Sequence, residues 1–250
     1  LQTIGPIDTS SATNITSIFK FCGQLTNMPV LDTQNVTNFP SAWQNCSALT
    51  SFPLIDTSSG TQFTYTWDGC SNLNNIGVVP GATTSLPLFD FSSATTLSNC
   101  FKNCSSITTV PVFDVSNATD VGAMFSGCTN LNNFPGITLR TTANVSLANF
   151  FSSCTSLTNF TLFDTSTVTD MGAMFFGCTG LTSFPALFDT SAAVNLASTW
   201  ADCPNLTSFP VLNTANATSF QNAWARNYGL TDFPLLDTTS ITNCQYSWYN

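Results

Sequence analysis

One unit recurs from end to end of this 250-residue chain, and its register limits what the chain can fold into. The cysteine of each copy serves as the reference: Cys22, Cys46, Cys70, Cys104, Cys128, Cys154, Cys178 and Cys203, with Asn227 in the ninth place. The spacings are 24, 24, 34, 24, 26, 24, 25 and 24. An aromatic stands three places before each reference, from Phe19, Trp43 and Trp67 through Phe175 to Trp200 and Trp224, and Trp248 opens a tenth copy. A Leu or Ile stands three places after, from Leu25 to Leu230. A fixed period of this length marks one supersecondary unit stacked on copies of itself, because a single unit cannot bury its apolar face alone. Residues 1–250 are therefore expected to form a single array of about ten coils of 24 residues.

The half after each cysteine reads L-x-x-F-P-[VL], as in Leu206, Phe209 and Val211. This is the strand signature of a leucine-rich repeat, and alternation predicts that Leu206, Phe209 and Val211 face the core. Proline at its centre cannot donate to a sheet ladder, so short parallel strands of perhaps three residues are expected. The half before each cysteine reads V-T-x-M-x-x-M-F, as in Val168, Met171, Met174 and Phe175. Apolar residues at i, i+3, i+6 and i+7 predict a short helical or 3₁₀ segment. Thr169 would be its N-cap, Asp170 would sit in its first turn, and Gly69, Gly127 and Gly177 would reverse the chain after it. The fold class expected is an α/β repeat solenoid, with strands on one face and short helical segments on the other.

The distance from the Asp of the D-T-S motif to the cysteine is always 14, as from Asp8 to Cys22 and from Asp189 to Cys203. Length variation is thus confined to the other half. Its largest instance, near 77–85, is expected to be a loop insertion at one edge, where function is often placed.

Composition narrows the function. Lys20, Lys102, Arg140 and Arg226 are the only basic residues, Glu and His are absent, and the net charge is −9. Such a chain has no cationic patch for phosphate backbones or anionic lipid, so neither nucleic acid nor a membrane surface is expected as a partner. No apolar run approaches the roughly 20 residues of a membrane helix. Without His, Glu or a nucleophile pattern, no enzyme is expected.

Three ladders remain. The stacked cysteines lie within disulfide reach, so pairs such as Cys22–Cys46 are conceivable, but inward-facing thiols pack well as small hydrophobes. Asn227 shows that no covalent link is needed at that position. Asp8, Asp32, Asp56, Asp90, Asp114, Asp164, Asp189 and Asp237 would accept backbone N–H bonds in their own turns. A row of Ca²⁺ sites is the alternative, with Arg140 neutralising its neighbours; no other cofactor is expected. Leu31, Ile55, Phe89, Phe113, Phe163, Phe188, Leu212 and Leu236 precede that ladder, either turning inward as core or forming an exposed apolar stripe. Thr50 and Pro53, Thr108 and Pro111, Thr182 and Pro185, and Thr207 and Pro210 should line a flat uncharged face. That face is a candidate recognition surface for protein, glycan or a crystalline solid. The sequons at Asn35, Asn117 and Asn216 share one phase of the repeat and are possible glycosylation sites.

The segments F-F-G-C-T-G-L-T-S-F and D-T-S-T-V-T-D-M-G-A-M-F resemble the surface-protein repeats of the BspA-like leucine-rich group, nearest its "lipoprotein repeat of unknown function" branch. The resemblance covers essentially the whole chain. It implies a right-handed solenoid in a secreted or surface-attached protein, of adhesive or unknown role. The expected function is a non-catalytic extracellular structural or adhesive scaffold at a cell or virion surface, contacting protein or glycan. The chain begins and ends in mid-repeat, which fits a segment of something longer or a subunit that stacks end to end into a filament. A ligand-binding receptor or viral fibre module is the remaining alternative.

Overall fold

The computed structural model describes residues 2–74, 76, 89–142 and 144–249. Successive coils pair in parallel at one column that runs the length of the chain: Asn14–Asn38, Asn38–Gln62, Gln62–Thr96, Thr96–Asp120 and Asp120–Ser146, then Asp170–Asn195, Asn195–Ser219 and Ser219–Asn243. Six strands bridge or flank the gap in that column: β1 (Phe113–Asp114), β2 (Asn133–Phe134), β3 (Ile137–Thr138), β4 (Val145–Ser146), β5 (Asn159–Phe160) and β6 (Val168–Asp170). They pair in parallel as β1–β3, β2–β5 and β4–β6. The architecture is a repeat fold with short parallel strands, but the expectation that they lie in the proline half is corrected. The continuous column runs through the half before each cysteine. Among the described residues, only β2–β5, the Ser183–Ser208 bridge and, at the boundary, β1–β3 belong to the proline half.

Among the described residues no helix forms, which corrects the expectation for the half before each cysteine. That half is a run of overlapping turns. In the second coil the N–H groups of Ala42, Gln44 and Cys46 bond back to the carbonyls of Phe39, Ser41 and Trp43. The alternate donors, Phe39, Ser41, Trp43 and Asn45, reach the next coil at Gln62, Thr64, Thr66 and Asp68. Every second amide therefore tightens a turn and every other one joins two coils. Turning at this rate needs a left-handed residue every fourth place, here Ser41 (φ 55°) and Asn45 (φ 62°). The inward positions Phe39, Ala42, Trp43 and Cys46 then fall three and four apart, so consecutive turns mimic a helical period.

The expected helix caps have other roles. Asp170 Oδ1 accepts from Gly172 N–H, which is an Asx turn rather than a first helical turn. Thr169, expected as the N-cap, instead joins two coils: its carbonyl accepts the N–H groups of Val194 and Asn195 at 2.9 and 3.2 Å. Gly127, expected to reverse the chain, does adopt a left-handed φ of 74°.

The core is an aromatic stack. Trp43, Trp67, Phe101 and Phe125 lie face to face, with centroids 5.4, 5.1 and 5.8 Å apart in succession. Trp200, Trp224 and Trp248 repeat the arrangement at 5.4 Å. Each buried ring contributes roughly 1.5–3 kcal/mol by leaving water.

In the proline half, Leu206, Phe209 and Leu212 are buried, whereas Val211 is 68% exposed. The expectation that Val211 faces inward is corrected. Phe209 and Leu212 are three apart, the period that a proline-directed extended segment imposes in place of two. The residues before the Asp ladder accordingly turn inward: Leu31, Ile55, Phe89, Phe113, Phe188, Leu212 and Leu236 are buried and Phe163 is half-buried.

Candidate interaction face

The reactive side chains are built into the scaffold. The ten cysteines are unpaired thiols. In the ladder, Cys46 Sγ donates to the Phe19 carbonyl at 3.1 Å, Cys70 to Trp43 at 3.2 Å and Cys128 to Phe101 at 3.2 Å. Each thiol thus reaches the carbonyl three residues before the cysteine of the preceding coil. Asn227 substitutes in kind, its amide donating to the Trp200 carbonyl at 2.9 Å and accepting from Cys203 N–H. Burial pushes the thiols of Cys46, Cys128 and Cys203 up to about 12, far from the range of a nucleophilic cysteine.

The Asp ladder accepts within its own turns. Asp56 Oδ1 takes the N–H and hydroxyl of Ser58, and Asp90, Asp114 and Asp189 take the N–H two residues on. Asn213 does the same with Ala215. Hydroxyl and N–H donors hold Asp8, Asp56 and Asp237 below the usual carboxylate range. Among the described residues, no three groups of metal-ligating type converge. Arg140 does not neutralise this ladder: its Nε donates to Thr142 Oγ1 at 3.4 Å. The ion pair among the described residues is Arg226–Asp202, on the turn side.

One ladder went unread in the sequence. The Thr that follows the ladder residue is buried at Thr9, Thr57, Thr165 and Thr190, within D-T-S, and at Thr214, after Asn213. Its hydroxyl donates to the carbonyl of the next coil's ladder residue, as from Thr190 to Asn213 at 2.6 Å and from Thr214 to Asp237 at 2.6 Å. The signal was present, because Thr recurs there where any small residue would complete an Asx turn.

The outward side of the proline half carries three parallel rows. In the first, Thr50, Thr108, Thr182 and Thr207 are exposed, beside half-buried Pro53, Pro111, Pro185 and Pro210. The hydroxyl of Thr207 is already committed to the Thr182 carbonyl at 3.1 Å. The second row is aliphatic: Val30, Leu54, Val112, Leu162, Leu187, Val211 and Leu235 are exposed, from 39% at Leu162 to 93% at Leu235. The coil through Gly136 and Ile137 interrupts it. The third row is the Asp ladder, two residues further on. Solvent-facing Val and Leu at one position of seven coils form a recurrent apolar surface of the kind that marks contact sites. Sequence reasoning weighed burial against exposure only for the residue before each ladder Asp, and the exposed row lies one residue earlier.

The expected insertion near 77–85 lies outside the described residues. Asn35, Asn117 and Asn216 are exposed, and each side-chain amide donates to the preceding coil: to Ser10 at 3.1 Å, Ser92 at 2.6 Å and Ser191 at 2.7 Å. No helix of the described residues is long and apolar enough to cross a membrane.

The profile of a family described as "Mycoplasma protein of unknown function, DUF285" matches residues 1–77, 74–159 and 145–250. No curated protein matches the chain. Among solved structures, a leucine-rich repeat protein from Bacteroides ovatus is similar over 92% of this chain and 78% of its own, at 17% identity and a TM-score of 0.38.

Proposed function

The chain belongs to the DUF285 family, and from that premise we propose that it is a non-catalytic repeat scaffold that presents its outward rows to protein or glycan at an extracellular surface. The observation that carries this reading is the division of labour between side chains. The thiols, the Asx-turn carboxylates and the D-T-S hydroxyls are spent on joining coils and closing turns. What faces outward is a repeated set of Thr, aliphatic and Asp side chains. A right-handed leucine-rich solenoid of the BspA-like kind fits the parallel coil-to-coil pairing and is the finer architecture we assign. The eight buried thiols are compatible with a surface protein because burial, rather than a reducing compartment, protects them, whereas Cys22 is half-buried and Cys244 exposed.

The test is a binding panel of arrayed glycans and purified surface proteins, probed with the intact chain. Saturable binding to at least one class is the expected outcome. A complete absence of saturable binding, or steady turnover of a hydrolase substrate by the pure protein, would remove the reading.

A further inference from the structure

The aliphatic and acidic rows run side by side, and their combination selects a partner. We infer that they form one docking surface for a cationic amphipathic helix, whose aliphatic stripe meets Leu162, Leu187 and Val211 while flanking Lys or Arg meet the Asp ladder. This rests on the scaffold reading and names the partner.

Three observations support the assignment. First, Val112 and Asp114 are both exposed on either side of buried Phe113, so the two rows share the outer side at a separation of about 7 Å, two residues of extended chain. Second, the acidic row lacks intramolecular compensation. Only one oxygen of Asp114, Asp164 and Asp189 is engaged by the described residues, and none of the chain's four cations pairs with the ladder there. A second copy of the chain would bring a like-charged row against it, which disfavours self-pairing. Third, at the coils of Asp32, Asp56 and Asp90 an open concavity of about 420 Å³ brings Leu54 of the aliphatic row together with these carboxylates, so the same two rows adjoin elsewhere along the array.

Periodicity decides the form of the partner. Parallel coils repeat every ~4.8 Å, and an α-helix repeats its stripe every ~5.4 Å. Three to four turns laid along the rows therefore drift out of step by only about 2 Å. An extended peptide, at ~3.3 Å per residue, loses register at once.

The experiment uses fluorescence anisotropy with the intact chain and a labelled Leu/Lys peptide of about four helical turns, leucines on one face. Leu/Glu and Ser/Lys peptides of the same length are the controls. Two double variants are compared: Asp164→Asn with Asp189→Asn, in which the turn survives because Asn213 already makes it, and Leu187→Ser with Val211→Ser. Saturable binding of the Leu/Lys peptide alone is expected. Each double variant should weaken it at least about fivefold, and the Asn pair should also flatten its salt dependence. Failure of the Leu/Lys peptide to bind, equal binding of the Leu/Glu peptide, or unchanged affinity in both variants at unchanged melting temperature would overturn the inference. A ligand from the panel whose binding ignores all four substitutions would leave the scaffold standing and remove only the helix.

Discussion

The two halves of each coil solve the same stacking problem differently. The half from Asp to Cys fixes its length at 14 residues and sends four amides per coil to its neighbour, as at Phe39, Ser41, Trp43 and Asn45. All the left-handed residues recorded fall in this half except Gly136. Between Leu206 and Leu212, the other half contributes one backbone donor, Thr207 N–H to the Thr182 carbonyl. It tolerates insertions and shows Val and Leu to solvent. Length is fixed where hydrogen bonds run in step with the neighbouring coil, because one extra residue would unpair every donor beyond it. Length is free where proline leaves the pairing between coils sparse.

The sharpest way to break this contrast is alkali. The thiols belong to the turn half, and burial raises them, to about 12 at Cys46, Cys128 and Cys203. A raised folded-state value means that the unfolded chain ionises first. Stability is fully present below about pH 9 and is lost as pH rises towards 12. Each deeply buried thiol removes on the order of 1 kcal/mol per pH unit in that window, and their sum makes this the largest effect. Chemical denaturation at pH 7, 9 and 10.5 should show the midpoint holding to about pH 9 and then falling steeply. An unchanged midpoint at pH 10.5 would mean that the cysteine column is not buried as described.

Next in size is Trp67→Ala. Trp67 is fully buried and stacks on Trp43 and Phe101. Truncation should cost about 3–5 kcal/mol, read as a lowered denaturation midpoint. A loss below about 1 kcal/mol would show that the stack does not carry the fold.

Gly127→Ala probes the turns themselves. Its φ is 74°, and an added Cβ would lie 2.5 Å from Asn103 Oδ1. Asn103 is exposed and can turn aside at the expense of its amide bond to Asp68 (3.2 Å), so the cost is the left-handed backbone plus that bond, about 1–2 kcal/mol. Gly136→Ala, at φ 110° with open space around it, provides the comparison in the proline half.

Much of this was legible in the sequence, and the misreadings share a cause. The register of Cys, aromatic and Leu gave the stacking direction and the core. The constant Asp-to-Cys distance gave the invariant half. Chain direction at each residue was not legible. Phe39, Ala42, Trp43 and Cys46 carry a helical spacing, yet left-handed Ser41 and Asn45 generate it from turns, and Ser and Asn do not announce that conformation. Likewise Pro210 turned a period of two into three, which moved Val211 outward and Leu212 inward. The buried Thr190 hydroxyl was missed because D-T-S was read only as a local turn, although its partner lies 23 residues on.

The smallest expected effect separates exposure from function. Leu187→Ser removes an 83%-exposed side chain, so little apolar area re-enters water and stability should shift by no more than about 0.5 kcal/mol. Phe188→Ser, one residue away, uncovers a buried ring that packs edge-on against Phe184 at 5.2 Å and should cost about 3 kcal/mol or more. Paired thermal melts of these neighbours test the period of three directly. If Leu187→Ser proved the costlier, the outward row would belong to the core and could not meet a partner. If it is silent in stability while Phe188→Ser unfolds the coil, then the recurrence of Leu and Val in that row owes nothing to folding. Its explanation would then lie in contact with something outside the chain.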